Sequence, residues 1–316
     1  MRRNVSVAAW FVLLAVCIVL PFSSEDSQVL TIAIQTFILT ALASSWNIIG
    51  GFAGQISLGH AAFFGMGTII TRELWLSGAP LPLSLAAAIV ATALFALIIG
   101  VPMLRFRGIY FSIGTLALAV AISLTIGNLF PGITSMPVEA LRAYTFTDPY
   151  FLALGAAVTT VAVAMLLRRS VVGLGMMAVR DDEAAAGAVG VDVLAHKLAA
   201  FAISAALAAL AGGAFAFFSV SYYPSYPFTA VWSFETILVT FVGGIGTIVG
   251  PIAGSAFFVI GRDTIAANFE GFQVIGFGVL FIVVVLLVPG GMVEGAQRIG
   301  AWVVKQGQGR KRDVEG

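Results

Sequence analysis

The sequence predicts an all-α membrane protein, a polytopic helical bundle of about ten membrane-crossing elements, some of them broken at glycine-rich turns. Sixty per cent of the 316 residues are hydrophobic and ten per cent are charged, whereas soluble domains carry about 25% charged residues. Long apolar runs recur along the chain, and about 20 apolar residues span the hydrocarbon as a helix. The sequence lacks the short alternating segments of a membrane barrel. We therefore expect residues 1–316 to form a single transmembrane domain.

The first seven predicted spans alternate with polar or charged turns. They cover residues 8–22, 29–49, 56–76, 83–104, 109–130, 150–167 and 197–220. Arg2 and Arg3 before the first run resemble the start of a secretory signal, but no clear cleavage motif follows, so we expect a retained first helix. Arginines at 105–107 and 168–169 and the basic tail 290–316 predict, by the positive-inside rule, that these parts and both termini are cytoplasmic.

The last third of the chain must be divided so that the basic tail ends in the cytoplasm. One helix over residues 233–260 would leave the tail outside, so we break this run at the glycines of 243–246. The last three spans are then residues 233–242, 249–260 and 272–288, with Arg262 and Asp263 outside the membrane between the second and third. Glycine-interrupted segments in two halves of a transporter point to a substrate path, although glycines also permit close helix packing.

Residues that carry enzyme chemistry are scarce. The chain has two histidines and one cysteine, no pair at metal-ligand spacing and no lysine-containing phosphate loop. Ser57 and His60 share a helix face, but no carboxylate accompanies them, so we do not expect an intramembrane hydrolase. The acidic residues lie at span boundaries, and Glu235 is interpreted as a solvated helix start. We predict no catalytic residue, metal or cofactor, and an energy source outside the chain or passive transport.

Neutral polar side chains at membrane depth, among them Gln35 and Asn47, suit a path for neutral or zwitterionic solutes rather than ions. Most of them are expected to form hydrogen bonds between helices. The candidates for the translocation path are Gln55, Ser57, Gly59, His60, Thr115, Gly243, Gly244 and Gly246.

The cytoplasmic loop, residues 168–196, is the most informative segment. It is long for a helical bundle, where connections commonly have two to eight residues, and alanines follow four consecutive charges. This composition suits a short helix at 180–190 that docks in a groove of another protein, with the charges fixing its register. The alternative is a solvated connector held by an Arg180–Glu183 pair three residues apart. The residues assigned to coupling are Ser170, Gly173, Arg180, Asp181, Asp182, Glu183, Ala184, Ala185 and Gly190.

Five blocks of sequence together resemble the branched-chain amino acid permease family, the LivH/LivM group of ABC import permeases. The loop block has Ser170, Gly173, the run Arg-Asp-Asp-Glu-Ala-Ala at 180–185 and a Gly-Val pair at 190–191. The other blocks are residues 54–63, 105–117, 197–205 and 243–251, of which 105–117 is LivM-like in particular. Family loops often have arginine after the loop glycine, where this chain has Leu174, so docking is expected to differ in detail.

The resemblance implies a transport subunit of the bacterial inner membrane rather than an enzyme. Its expected partners are a second, LivH-like permease, two cytoplasmic ABC ATPases that hold ATP and Mg²⁺ and bind the coupling loops, and a periplasmic solute-binding protein. Branched-chain or other hydrophobic amino acids are the expected solutes. Urea, short amides or another small organic solute are the alternative within the family, and a passive solute channel is the alternative outside it.

Overall fold

The structure, a computed structural model, describes residues 2–23, 26–142, 144–268, 278 and 291–295. The helices are α1 Arg2–Ser23, α2 Ser27–Asn47, α3 His60–Leu76, α4 Leu81–Met103, α5 Ile109–Leu129, α6 Val138–Arg142, α7 Thr147–Arg169, α8 Val171–Asp181, α9 Glu183–Ala188, α10 Val193–Phe218, α11 Ala230–Gly243 and α12 Val249–Asn268. A π-helical turn, Ile48–Phe52, extends α2, and a 3₁₀ turn, Tyr226–Phe228, precedes α11. Strands β1 Thr134–Ser135 and β2 Ser221–Tyr222 pair antiparallel, a small ladder that we did not predict.

Five of the described helices are long and apolar enough to cross a membrane. They are α2 with its π-helical turn, α4, α5, α7 and α10, and they fall on five of the predicted spans. Helices α1, α3, α11 and α12 fall on four other predicted spans and are not among these five. The predicted span 272–288 lies outside the described residues apart from residue 278, and the tail 290–316 apart from residues 291–295. The helical membrane class is therefore supported, and the number of ten crossings stays a prediction.

Helix α10 packs against α2, α3, α4 and α7. Small residues line its contact with α3, where Gly67 faces Ala209 and Gly212 faces Phe64. Small residues allow helix backbones to approach closely in a membrane, where dispersion rather than the hydrophobic effect holds helices together. The apolar character of these helices thus fits lipid, and their alanines and glycines determine which faces meet.

One end of the bundle, which we call the loop end, is formed by residues 170–192. Helix α7 runs into this segment and α10 starts from it. The end of α2 belongs there because the Gly51 carbonyl accepts a hydrogen bond from Arg180, and Gly100 of α4 lies against Leu198 near the start of α10. From these positions, several arginines also lie at the loop end: Arg105, Arg107, Arg168, Arg169 and Arg180.

At the opposite end, the last residues of α10 contact a buried arginine that we did not single out from the sequence. Arg72 of α3 is fully buried. Its guanidinium donates to the carbonyl oxygens of Ala216 at 2.6 Å, Ser219 at 2.5 Å and Val220 at 3.4 Å. The last carbonyls of a helix lack partners inside the helix and carry partial negative charge, so a cation is favourable there. Arg72 therefore caps α10 and ties it to α3.

One interpretation of the last third is wrong, and one helix is longer than the predicted span. Glu235 is not a solvated helix start, because it lies within α11 with a side chain 22% exposed and faces Arg262 at 3.9 Å. Helix α12 continues past the predicted end at residue 260, through Arg262 and Asp263 to Asn268, and the placement of these two residues outside the membrane stays a prediction. The Arg262 guanidinium can remain in the helical packing because Gln35 and Glu235 offer it oxygen atoms.

Candidate functional site

The connector between α7 and α10 folds into two short helices instead of one. Ser170 starts α8, because its hydroxyl accepts from the amide of Gly173 at 3.0 Å. Asp182 ends α8 and starts α9 with an extended backbone, φ −160° and ψ 113°, and its carboxylate accepts from the amides of Ala184 and Ala185 at 2.8 and 3.0 Å. Such caps satisfy amides that a helix start leaves unpaired. The predicted continuous helix at 180–190 is therefore interrupted at its third residue, and Gly190 lies beyond the end of α9.

The predicted Arg180–Glu183 pair is wrong for the same reason. A helical pair three residues apart needs continuous helix between its members, and the extended Asp182 separates them. Arg180 instead bonds the carboxylate of its neighbour Asp181 and donates from Nη1 to the carbonyl oxygen of Gly51 at 2.9 Å. Arg180 thus ties α8 to the π-helical turn that ends α2.

Glu183 also turns towards its own chain. Its Oε1 is paired with Nζ of Lys197, a buried lysine in the second turn of α10, and accepts from Nε2 of Gln55 at 3.5 Å. The lysine needs this partner, because an isolated buried charge is costly. Arg180 and Glu183 therefore tie the connector helices to the π-helical turn at the end of α2 and to Gln55 just beyond it.

The outer face of the connector is apolar. Val171 is 83% exposed and Val189 is 80% exposed. Leu174, Leu194, Ala184 and Ala185 are exposed as well. Asp181 and Asp182 also lie at the surface, whereas Gly173 is buried against the end of α7. Exposed apolar residues that cluster on one surface are typical of a protein-binding site.

The late glycine run forms a tight turn between α11 and α12 at the loop end. Gly244 and Gly246 have φ of 124° and 74°, a backbone region that residues with a Cβ rarely adopt. The side-chain amide of Asn47 holds this turn, because its Oδ1 accepts from the amide of Gly246 and its Nδ2 donates to the carbonyl of Thr247, both at 2.7 Å. The break predicted at 243–246 is thus present, and it is fastened to the end of α2.

The early glycine-rich segment, residues 53–59, is not helical, so α3 begins at His60 rather than at the predicted residue 56. Helix α5 holds the segment: Ser112 donates to the Ile56 carbonyl at 2.6 Å, and the Leu58 amide donates to the Thr115 hydroxyl at 3.1 Å. Gly59 lies so close to α5 that a Cβ atom on it would come 1.9 Å from the Thr115 carbonyl oxygen. Glycine is therefore needed at 59 for space.

His60 is 1% exposed and its Nε2 lies 2.8 Å from the hydroxyl of Ser45. Ser57, the serine considered as its possible dyad partner, bonds Trp46 through its carbonyl instead, and its buried hydroxyl has no hydrogen-bond partner among the described residues. His60 thus joins α3 to α2. In the described part of the chain, no three metal-binding side chains are grouped closely enough to hold an ion.

The path candidates are therefore brought together in two tied segments, the early one around residues 55–60 and the late one around 243–246. Gln55, Ser57, His60 and Thr115 are all buried within the protein. A role in lining a path stays a prediction for these residues. Two residues that we did not assign to a site supply polar contacts here: Asn47 holds the late turn to the end of α2, and Lys197 pairs with Glu183 of the connector. Their side chains interrupt otherwise apolar helical sequence.

Comparison with known proteins agrees with the resemblance. A family model described as "Branched-chain amino acid transport system / permease component" matches residues 28–288. The high-affinity branched-chain amino acid transport system permease protein LivM of Salmonella typhimurium is 27% identical, over 89% of this chain and 73% of that protein. LivM of Escherichia coli is 26% identical over the same shares. No solved structure matches the chain significantly. Since the family model covers most of the sequence, the chain belongs to the branched-chain amino acid transport permease family and is a membrane-embedded transport protein.

Proposed function

We propose that this chain is the permease subunit of an ABC importer in the bacterial inner membrane, and that it moves branched-chain or other hydrophobic amino acids by alternating access. The observation that carries the proposal is the construction of the connector. Its outer face is apolar, while Arg180 bonds Gly51 in the π-helical turn and Glu183 contacts Gln55 just after that turn. A protein that docks on the outer face can therefore move parts of the bundle interior.

The positions of the arginines support a cytoplasmic loop end. Five arginines lie in turns or helix ends there, at residues 105, 107, 168, 169 and 180. An excess of Lys and Arg marks the cytoplasmic side of a membrane protein. We therefore assign residues 170–196 to the side where ATP is present, and the opposite end to the periplasm. Helix α1 then runs outward, with its amino terminus in the cytoplasm.

The outer face of the connector, which we define as Val171, Leu174, Val189 and Leu194, fits a docking partner. Each of these side chains is at least 45% exposed, and leaving such a cluster in water costs free energy that a partner's groove recovers. We infer that one of two cytoplasmic ABC ATPases covers this face. A second, LivH-like permease and a periplasmic solute-binding protein complete the proposed importer, in keeping with the transport systems named for the LivM relatives.

Transmission is proposed to run through two side chains. Asp182 separates α8 from α9, so each short helix can shift on its own. Arg180 on α8 bonds the carbonyl of Gly51, and Glu183 on α9 contacts Gln55. A movement of the connector on ATP binding thus acts on the π-helical turn and on the start of the segment that turns the chain from α2 into α3, and no charged group has to cross the bundle.

Two variants separate docking from transmission. Leu174→Glu with Val189→Glu puts charge on the outer face, and we expect the ATPases to be lost on co-purification together with ATP-driven leucine uptake in vesicles. Glu183→Lys places two cations together at Lys197, and we expect the ATPases to remain bound while uptake falls at least about tenfold. Leu141→Glu, an exposed leucine of α6 away from the connector, is the control and should leave both readouts unchanged.

Unchanged ATPase binding and unchanged uptake in both variants would contradict the coupling role. Equilibration of leucine across liposomes that contain this chain alone, without any ATPase, would instead identify a passive channel. A comparison of leucine and urea uptake by the intact importer decides the solute class, since the proposal expects leucine to be taken up and urea to be excluded.

A further inference from the structure

A cavity of about 100 Å³ lies at the opposite end of the bundle from the connector. It is enclosed by the first half of α2, the end of α10, the start of α11 and the second half of α12, with Tyr226 of the 3₁₀ turn at its side. Its walls are mainly apolar and aromatic, including Phe215, Trp232 and Val259. Three polar side chains, Gln35, Glu235 and Arg262, enter it from three different helices.

Glu235 and Arg262 bring opposite charges close together but form no hydrogen bond with each other, and Gln35 bonds Arg262. The guanidinium of Arg262 donates to Oε1 of Gln35 at 2.5 Å, while its Nη1 lies 3.9 Å from Oε1 of Glu235. That second distance exceeds a hydrogen bond, for which 2.7–3.2 Å is usual. Ionised side chains within membrane segments are costly and generally mark a functional site. At this spacing, the Glu235 carboxylate and the Arg262 guanidinium can each also pair with a charged group of a ligand in the cavity.

Arg72, the other buried arginine at this end, shows what a purely structural cation looks like here. Its donors bond three backbone carbonyls at the end of α10, and its guanidinium stacks on Tyr222. It is fully buried and does not line the cavity. Arg262 also lies over an aromatic ring, that of Phe258, but it faces the cavity, its side chain is 38% exposed, and its polar partners are the side chains Gln35 and Glu235.

We propose that this cavity binds the zwitterion of an α-amino acid with an apolar side chain. The α-carboxylate pairs with Arg262, the α-ammonium pairs with Glu235, and the side chain lies against Phe215, Trp232 and Val259. Charge-assisted hydrogen bonds of this kind are about twice as strong as neutral ones. The site thus requires both charges of the ligand, which urea and short amides lack.

The size of the cavity limits what it holds in this conformation. An apolar cavity of about 150 Å³ accepts benzene, so a space of about 100 Å³ accommodates the head group and part of a branched side chain. Full occupancy requires α12 to move outward from α2, against the packing of Leu39 on Phe258 and Val259. This proposal rests on the proposed function for the solute class and for the periplasmic placement of the opposite end.

The test measures binding of labelled L-leucine to the purified full-length chain in detergent, without ATP or ATPases. Leucinamide lacks the carboxylate and 4-methylpentanoate lacks the amine, so each removes one proposed contact. Wild type should bind leucine saturably and each analogue at least about tenfold more weakly. In Glu235→Gln, leucine and 4-methylpentanoate should bind within about threefold of each other, because the partner of the ammonium is gone.

The double variant Glu235→Gln with Arg262→Gln keeps the shape of the site without leaving one charge unpaired, and it should lose leucine binding while eluting as a folded protein. Glu139→Gln, an exposed carboxylate of α6, is the matched control and should bind as wild type does. No saturable binding by wild type, or full discrimination retained by Glu235→Gln, overturns the proposal. Because the measurement needs no ATPase, failure of the coupling variants leaves it intact, and the Leu174→Glu/Val189→Glu variant should bind leucine normally.

Discussion

The two ends of this molecule handle polar groups in opposite ways. At the loop end, breaks in the helices are held by neutral side chains that bond backbone atoms, as Asn47 does for the late glycine turn and Ser112 for the early segment. At the opposite end, charged side chains carry the polar contacts: Arg72 closes α10, and Arg262 and Glu235 share the wall of a cavity.

Under the two proposals above, this difference separates the part of the bundle that moves from the part that holds a charged ligand. Many short bonds to backbone define the shape of the glycine segments while allowing them to be displaced as units. The cost of a buried charge is offset by several carbonyls at Arg72 and by Glu183 at Lys197, and Arg262 is proposed to serve a ligand. In the connector, Glu183 faces inward to Lys197, whereas the Arg180–Asp181 pair and several apolar side chains are exposed.

The largest expected effect is at the opposite end, from Arg72→Met. The change keeps much of the side-chain volume but removes the side-chain donor of the Ala216 and Ser219 carbonyl oxygens, whereas the Val220 carbonyl keeps the Met136 amide. Unsatisfied buried groups cost about 1–3 kcal/mol each. We expect the free energy of unfolding in detergent to fall by roughly 3 kcal/mol or more. Arg142→Met, an exposed arginine of α6, is the control and should change it by less than about 0.5 kcal/mol. Equal stability of the two variants would show that Arg72 does not cap α10.

A smaller but still large effect is expected at the loop end from Gly59→Ala. The added methyl group would lie 1.9 Å from the Thr115 carbonyl oxygen, so α3 and α5 must separate, and overpacking of this kind typically costs 1–3 kcal/mol. We expect a thermal unfolding midpoint several degrees lower and weaker protection of the Leu58 amide from hydrogen exchange. In Gly155→Ala the new methyl group meets no atom within 4 Å, so this helical glycine should gain stability instead. A neutral Gly59→Ala would contradict the close approach.

The apolar pattern was sufficient to predict the helical class and the positions of α2, α4, α5, α7 and α10. Together with the charge rule it was also sufficient to predict the break at residues 243–246, because the basic tail could end in the cytoplasm only if the run over residues 233–260 was divided. The packing partners of polar residues could not be predicted in the same way. Whether Glu183 bonds Arg180 or Lys197 depends on the extended backbone at Asp182, and a capping aspartate within a run of charges looks like any other charge in the sequence.

The cavity was missed for a related reason. Gln35, Glu235 and Arg262 lie on three helices separated by up to 227 positions in the chain, so no local spacing brings them together. The available signal was charge inside apolar sequence, and we interpreted Glu235 as a boundary residue because it is near the start of α11. Arg72 gave the same signal within α3. A charged residue inside an apolar span was thus the signal in the sequence both for the cap of α10 and for the lining of the cavity.

The smallest expected effect concerns Asp182, which decides whether the connector is two helices or one. Asp182→Ala removes the acceptor for the amides of Ala184 and Ala185, and loss of such a cap typically costs about 1 kcal/mol. The cost falls on α9 alone, so amides of residues 184–189 should exchange about fivefold faster while those of α10 are unchanged. Asp181→Ala is the matched control, because its carboxylate makes only an exposed pair with Arg180, and such pairs are worth about 0–1 kcal/mol. If both variants exchange alike, α9 is held by Glu183 and Lys197 rather than by its cap, and the loop end is then fastened by a buried ion pair much as the opposite end is.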